Sequence, residues 1–200
     1  MRILLIRHGE SEADVLCVHE GRADFPLTAR GHAQAKAMAA FVAARYRVDR
    51  LYASTLTRAM QTARHLADAA GIDVIPDDDL MEFNNGLLAG LPYDVAREKY
   101  PPVENLPADR AVYGMETRLA FRRRAEAALA KVLAGAKPEE TVAVVSHGGM
   151  IDQLWHVFLS LPVDDGTWFA TGDTGIHEWE IDGASRQVVR ANYTGHAEGI

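Results

Sequence analysis

Two short runs in this chain set a histidine against a glycine where an apolar stretch stops. Arg7-His8-Gly9 follows Arg2-Ile3-Leu4-Leu5-Ile6, and Ser146-His147-Gly148-Gly149 follows Thr141–Val145. A glycine after each histidine lets the backbone turn sharply or come close to a ligand. A third apolar run, Asp49–Ser54, leads into a helical stretch whose first turns carry Arg58. Two histidines and two arginines at one crevice suit a dianionic phosphoryl group, because the planar forked donors of arginine match phosphate oxygens. Neighbouring cations also lower a histidine's pKa, so that one imidazole stays neutral and nucleophilic. Such a set could take a phosphoryl group onto histidine and pass it to water. The leaving alkoxide then needs a proton, for which a carboxylic acid is the expected donor.

For these side chains to meet, the three apolar runs must be strands of one sheet, since ligands of open α/β sheets sit outside the carboxyl ends of the strands. Residues 2–6 read as a strand buried on both faces. Residues 28–46 read as a helix capped by Thr28, 49–54 as a second strand, and 55–70 as a second helix with Gly71 just past its end. Val74–Pro76 is a brief strand, followed by an acidic, glycine-rich loop, and the proline-rich residues 100–110 form a long surface loop. Residues 117–133 read as a helix with Arg122, Arg123 and Arg124 on a solvated face. A strand over 141–145, a helix over 150–159 and a late strand over 175–181, near a sheet edge, complete the chain. Strands alternating with helices predict an α/β sandwich with a largely parallel central sheet.

Bulk properties narrow the function classes. The chain of 200 residues has room for one domain, and its 28 acidic against 21 basic residues give a formal charge of −7. That argues against nucleic-acid or membrane-surface binding by bulk charge. No run approaches the roughly 20 apolar residues of a membrane span, and Arg7 and His8 interrupt the N-terminal apolar stretch, so no signal peptide is expected. The single cysteine, Cys17, excludes an intramolecular disulfide and fits a cytoplasmic location. His19, His32, His65 and His156 read as surface or packing residues without metal-ligand spacing, and His177 and His196 as structural or exposed. Trp155, Trp168 and Trp179 lie among apolar residues and read as core or interface.

Several ordered motifs carry a resemblance. Arg7-His8-Gly9-Glu10-Ser11 resembles the R-H-G-E-[ST] signature of the histidine phosphatase superfamily, the phosphoglycerate mutase-like proteins. Pro26-Leu27-Thr28-Ala29-Arg30-Gly31 is similar to that family's P-L-T-x-x-G, and Tyr52–Ala63 to its Y-x-S-x-L-x-R-A-x-Q-T-A. Leu80-Met81-Glu82 is similar to its L-x-E, and Val145–Gly149 to its V-x-H-G segment. The resemblance implies a three-layer α/β/α sandwich with a small helical lid, for which residues 83–130 are the matching segment within a single domain over 1–200. It implies His8 as the nucleophile that becomes phosphorylated, with Arg7, Arg58 and His147 binding the phosphoryl group. Glu82 would protonate the leaving group and later activate water. No metal or organic cofactor is required by this chemistry.

Departures from the family pattern bear on the substrate. Where the family has an asparagine six residues after the nucleophile this chain has Asp14, and where it has Gln-Gly this chain has Glu20-Gly21. Both changes replace an amide by an acid, which makes the outer pocket less friendly to a second phosphate. After Gly86 the chain reads Leu87-Leu88-Ala89-Gly90, where many members carry a charged residue and an aromatic. Gly9, Asp14, Glu20, Gly21 and Gly148 are the expected substrate contacts. The sequence therefore predicts a phosphatase acting on small phosphorylated metabolites, each a monophosphate whose remainder is neutral or cationic. No nucleic-acid or membrane partner is expected, and a homodimer is compatible with the sequence. The alternatives are a cofactor-dependent phosphoglycerate mutase and a catalytically silent phospho-ligand binder.

Overall fold

Arg2–Arg7 forms strand β1, and its apolar residues divide between two cores according to the two-residue repeat of a strand. In the computed structural model, which describes residues 1–200, Ile3 and Leu5 enter one buried cluster while Leu4 and Ile6 enter another on the opposite face. The neighbouring strand β4 (Thr141–Ser146) does the same, with Val142 and Val144 on the first side and Ala143 and Val145 on the second. A strand sandwiched in this way must be apolar throughout, which is why both runs read as unbroken stretches.

The other elements follow from β1 outward. They are α1 (Glu12–Leu16), α2 (Ala29–Ala43), β2 (Arg50–Ala53), α3 (Thr57–Ala70), β3 (Val74–Pro76) and α4 (Tyr93–Lys99). After these come α5 (Arg118–Gly135), β4, α6 (Gly148–Phe158), β5 (Ile176–Asp182) and β6 (Ser185–Tyr193). The six strands form one sheet in the order β3-β2-β4-β1-β5-β6. The β3-β2-β4-β1 part is parallel, and β5 joins β1 antiparallel. Helices α2 and α3 cover one face through Met38, Val42, Ala59 and Leu66. Helices α5 and α6 cover the other through Ala125, Leu129, Ile151 and Leu154. The result is a mixed α/β sandwich of three layers. No helix is long and apolar enough to cross a membrane.

Local signals set the boundaries. The Thr28 hydroxyl accepts from Gly31 N at 2.9 Å and starts α2, and the Thr117 hydroxyl does the same for Ala120 N at 2.9 Å at α5. Gly71, at φ 68°, ends α3 in the left-handed conformation.

Three expectations change. The late strand β5 is interior, because a further strand, β6, pairs with it antiparallel and forms the edge. Most of β6 is exposed, Val188 and Val189 included, so no buried apolar face marked it in the sequence. Residues 118–130 of the segment expected as a lid belong to α5, whose Phe121, Ala125, Ala128 and Leu129 lie in the core. The three consecutive arginines of α5 are not a solvated face. Arg122 is buried and pairs with Glu126 at 2.9 Å, Arg124 turns inward, and Arg123 alone is exposed.

Candidate active site

The parallel pairing of β1 with β4 matches Arg7 to Ser146, so the next residue on each strand, His8 and His147, emerges at the same carboxyl-terminal edge. His8 N donates to Ser146 O at 3.0 Å, and the two rings lie 5.1 Å apart. On the other side of β4, Ser54 N donates to Val145 O at 3.0 Å and brings the start of α3, with Arg58, to that edge.

His8 is fully enclosed, and its Nδ1 lies 2.8 Å from Gly9 O. A carbonyl oxygen only accepts, so Nδ1 carries the proton and Nε2 presents its lone pair. Burial, then Arg58 and Arg7, hold the His8 imidazolium pKa well below the ordinary histidine range. The ring is therefore neutral and nucleophilic at physiological pH. Arg58 Nε donates to His8 Nε2 at 3.3 Å, while its two terminal nitrogens donate to Gly21 O at 2.9 Å and Ala23 O at 3.0 Å. Gly21 supplies that carbonyl from a left-handed turn at φ 48°, and a side chain there would collide with Asn85. Its placement makes Gly21 a support for Arg58.

His147 donates or accepts at Nε2 with the Ser54 hydroxyl at 2.7 Å, and its buried Nδ1 has no protein partner. Burial, followed by Arg58, His8 and Arg7, also keeps its pKa well below the usual value. Arg7 donates to Thr171 O at 2.8 Å and approaches Asp173 at 3.5 Å, while its buried Nε is likewise unpartnered.

Glu82 reaches this edge from the loop after β3. Its Oε2 accepts from Gly149 N at 2.9 Å, in the first turn of α6, and its Oε1 from Phe83 N at 2.6 Å. The loop is pinned behind it: Ser146 Oγ donates to Leu80 O at 2.7 Å, and Arg124 donates to Glu82 O at 3.0 Å and to Glu116 at 2.6 Å. A methyl group at Gly149 would stand 2.5 Å from Glu82 Oε1. Gly149→Ala is therefore expected to displace the carboxylate from this contact.

Arg7, His8, Glu20, Glu82 and Gly148 line a common cavity of about 490 Å³. Of the other expected contacts, Gly9 donates to Thr62 Oγ1 at 3.1 Å behind His8. Asp14 closes the cap of α1, its Oδ2 accepting from Ser11 N at 2.8 Å. Neither they nor Gly21 line the cavity, nor do the fully buried Arg58 and His147. Side chains not foreseen from sequence do: Phe83, Phe121, Trp168, Arg118, Asp152 and Gln153. Trp168 is 64% exposed at the rim rather than in the core, whereas Trp155 and Trp179 are buried. A second cavity of about 520 Å³ under residues 103–118 shares Phe83 and Arg118 with the first. His177 is an internal packing residue, bonded to Trp155 Nε1 at 3.2 Å and held by burial at a pKa of about 4. No three His, Cys, Asp or Glu side chains converge to hold a metal ion.

The family model described as histidine phosphatase superfamily, branch 1, matches residues 3–194. This chain belongs to that superfamily. A similar histidine phosphatase sequence is phosphoserine phosphatase 1 of Hydrogenobacter thermophilus, 27% identical over 201 residues, covering 98% of this chain and 94% of the relative. Another relative is named as a probable phosphoglycerate mutase, GpmB, of Yersinia enterocolitica, 33% identical over 173 residues, covering 81% of this chain and 76% of the relative. Among solved histidine phosphatase folds, the alpha-ribazole phosphatase from Shigella flexneri superposes with a TM-score of 0.86 at 26% identity, over 97% of each chain.

Proposed function

We propose that this protein is a phosphatase that hydrolyses phosphate monoesters of small metabolites through a phosphohistidine on His8. The observation that carries this reading is the contact of His8 Nδ1 with Gly9 O at 2.8 Å, which commits the ring proton to Nδ1 and leaves the Nε2 lone pair facing the buried Arg58. Nε2 attacks phosphorus as the ester P–O bond breaks, and Glu82 gives its proton to the departing oxygen. Arg58, Arg7 Nε and His147 Nδ1 would hold the non-bridging oxygens, where preorganised donors stabilise the transition state most. Glu82 then takes a proton from water, which attacks phosphorus and releases His8 and phosphate. In class this is an acid-type phosphoric monoester hydrolase.

Residues 83–117 would cover the site as a lid, with the aromatic rings of Phe83, Phe121 and Trp168 against the leaving group. The carboxylates around the cations bear on the mutase alternative. Arg7 has Asp173 at 3.5 Å and Asp14 at 3.8 Å, and Arg58 has Glu20 at 3.4 Å. A bisphosphate would bring its second dianion against these acids, which favours a monophosphate with a neutral or cationic remainder. The exposed Cys17 supports a reducing, cytoplasmic setting.

Glu82→Gln tests the assignment of the acid. For an alkyl phosphate, whose leaving group needs the proton, kcat is expected to fall about 10²- to 10⁴-fold. For an aryl phosphate with an acidic leaving group, phosphoenzyme formation should change far less. Rapid alkaline quench on both substrates, which reads phosphoenzyme formation apart from its hydrolysis, separates the cases, and equal losses in formation would remove Glu82 from the proton-donor role.

A further inference from the structure

Ser54 carries a buried hydroxyl to which the proposed reaction gives no part. It follows β2 directly, and the register that pairs Ala53 with Val145 sets it beside the end of β4, where His147 emerges. Both side chains are fully enclosed. Ser54 Oγ has two hydrogen-bond partners: it accepts from Leu56 N at 3.3 Å and lies 2.7 Å from His147 Nε2.

A proton count at this hydroxyl decides the direction of the second contact. The Leu56 N–H brings its own proton, so the proton of Ser54 still needs a place. The one acceptor within its reach is His147 Nε2. Were Nε2 protonated instead, the oxygen would face two donors, and its own proton would be buried with nothing to accept it. Folded proteins rarely leave a buried donor in that state. Ser54 therefore donates and Nε2 accepts. A neutral imidazole has one ring proton, which then sits on Nδ1. Burial, followed by Arg58, keeps the His147 ring in that neutral form. Nδ1 is the ring nitrogen that is buried without a protein partner. It is a donor with no acceptor, on a ring 5.1 Å from that of His8.

We infer that Ser54 fixes His147 in its Nδ1–H tautomer, so that the ring offers a donor rather than a lone pair to a phosphoryl oxygen. The inference rests on the phosphatase reading for the oxygen that Nδ1 meets. It makes Ser54 a positioning residue, which acts through His147 and does not touch substrate. The opposite tautomer would turn a lone pair toward the anion and repel it. Each proton is used once: that of Leu56 on Ser54, that of Ser54 on Nε2, and that of Nδ1 on the phosphoryl group. The donor is thus in place before the anion arrives, which is when a preorganised contact is worth most.

Nitrogen NMR of the full-length protein carrying isotopically labelled histidine tests this, because a protonated ring nitrogen and one with a free lone pair resonate far apart. His147→Gln identifies the His147 signals by their loss. In the ligand-free wild type, His147 should show a protonated Nδ1 and a bare Nε2. In Ser54→Ala the two tautomers should mix. The affinity of that variant for inorganic phosphate, measured by calorimetry at the same pH, should weaken about tenfold, the worth of one hydrogen bond to a charged group. A wild-type ring protonated at Nε2, or at both nitrogens, would overturn the inference. So would a Ser54→Ala protein in which either the tautomer or the phosphate affinity is unchanged. Should Ser54→Ala fail to fold, the wild-type spectrum decides alone. A fixed Nδ1–H tautomer in a protein that binds phosphate but forms no phosphoenzyme would sink the phosphatase reading and leave the role of Ser54 standing.

Discussion

His8→Ala is expected to lower turnover of an aryl phosphate on the order of 10⁴-fold and to abolish the phosphoenzyme. The reason is structural as well as chemical. His8 Nε2 is the unprotonated nitrogen that Arg58 faces in the buried heart of the site. His147 does not replace it in this reading, because its Nε2 is engaged by Ser54 at 2.7 Å and its Nδ1 is the donor to a phosphoryl oxygen. Wild-type protein mixed with substrate and quenched in alkali should retain a phosphoryl group that acid removes, the signature of phosphohistidine. The same quench on His8→Ala should show none. Turnover in His8→Ala within about tenfold of wild type would mean that water attacks phosphorus directly and the histidine only binds.

Arg58→Lys is expected to cost almost as much as Arg58→Ala, with kcat/KM down about 10³-fold in both. The guanidinium does three things at once, holding Gly21 O, Ala23 O and His8 Nε2 with three different nitrogens. An ammonium group can supply charge but cannot span those directions. Losing the two carbonyl contacts also leaves the turn at Gly21 unsupported, at about 1.5–3 kcal/mol for each hydrogen bond to a charged group. Parallel melting curves should therefore show both variants destabilised. A lysine variant that recovers kcat/KM to within about tenfold of wild type would show that Arg58 acts through charge alone.

The parts of the fold that sequence disclosed are those where burial imposes one simple pattern. The interiors of β1 and β4, Ile3–Ile6 and Val142–Val145, must be apolar because helices cover both their faces, and the His-Gly pairs follow where that requirement ends. Thr28, Thr117 and Gly71 announce helix ends because backbone groups there need a partner or a left-handed turn. Arg124 was not legible. Its position on α5 looks the same as that of Arg123, and only the approach of the Glu82 loop in three dimensions gives it carbonyls to hold. The edge strand β6 was hidden for the opposite reason, since a strand with most side chains in water has no apolar repeat to display. Trp168 and Arg118 reach the cavity from segments distant in sequence, and nothing in their neighbours signals it. Asp14 was legible as an acid near the site but not as the reciprocal partner of Ser11 in a capping box.

The pairing of Arg7 with Ser146 has a consequence for how this protein can vary. The two histidines belong to different strands, and their meeting depends on the alignment of the sheet rather than on any loop. Sliding β1 by one residue against β4 would invert every side chain it carries and send His8 toward the helices instead of the crevice. An insertion in the turn at residues 183–184 between β5 and β6 lengthens a surface bend, whereas a single residue added between Ile3 and Ile6 shifts the nucleophile itself. Length is thus free to drift at the periphery and frozen in the two central strands, where the spacing of the chain is itself part of the chemistry.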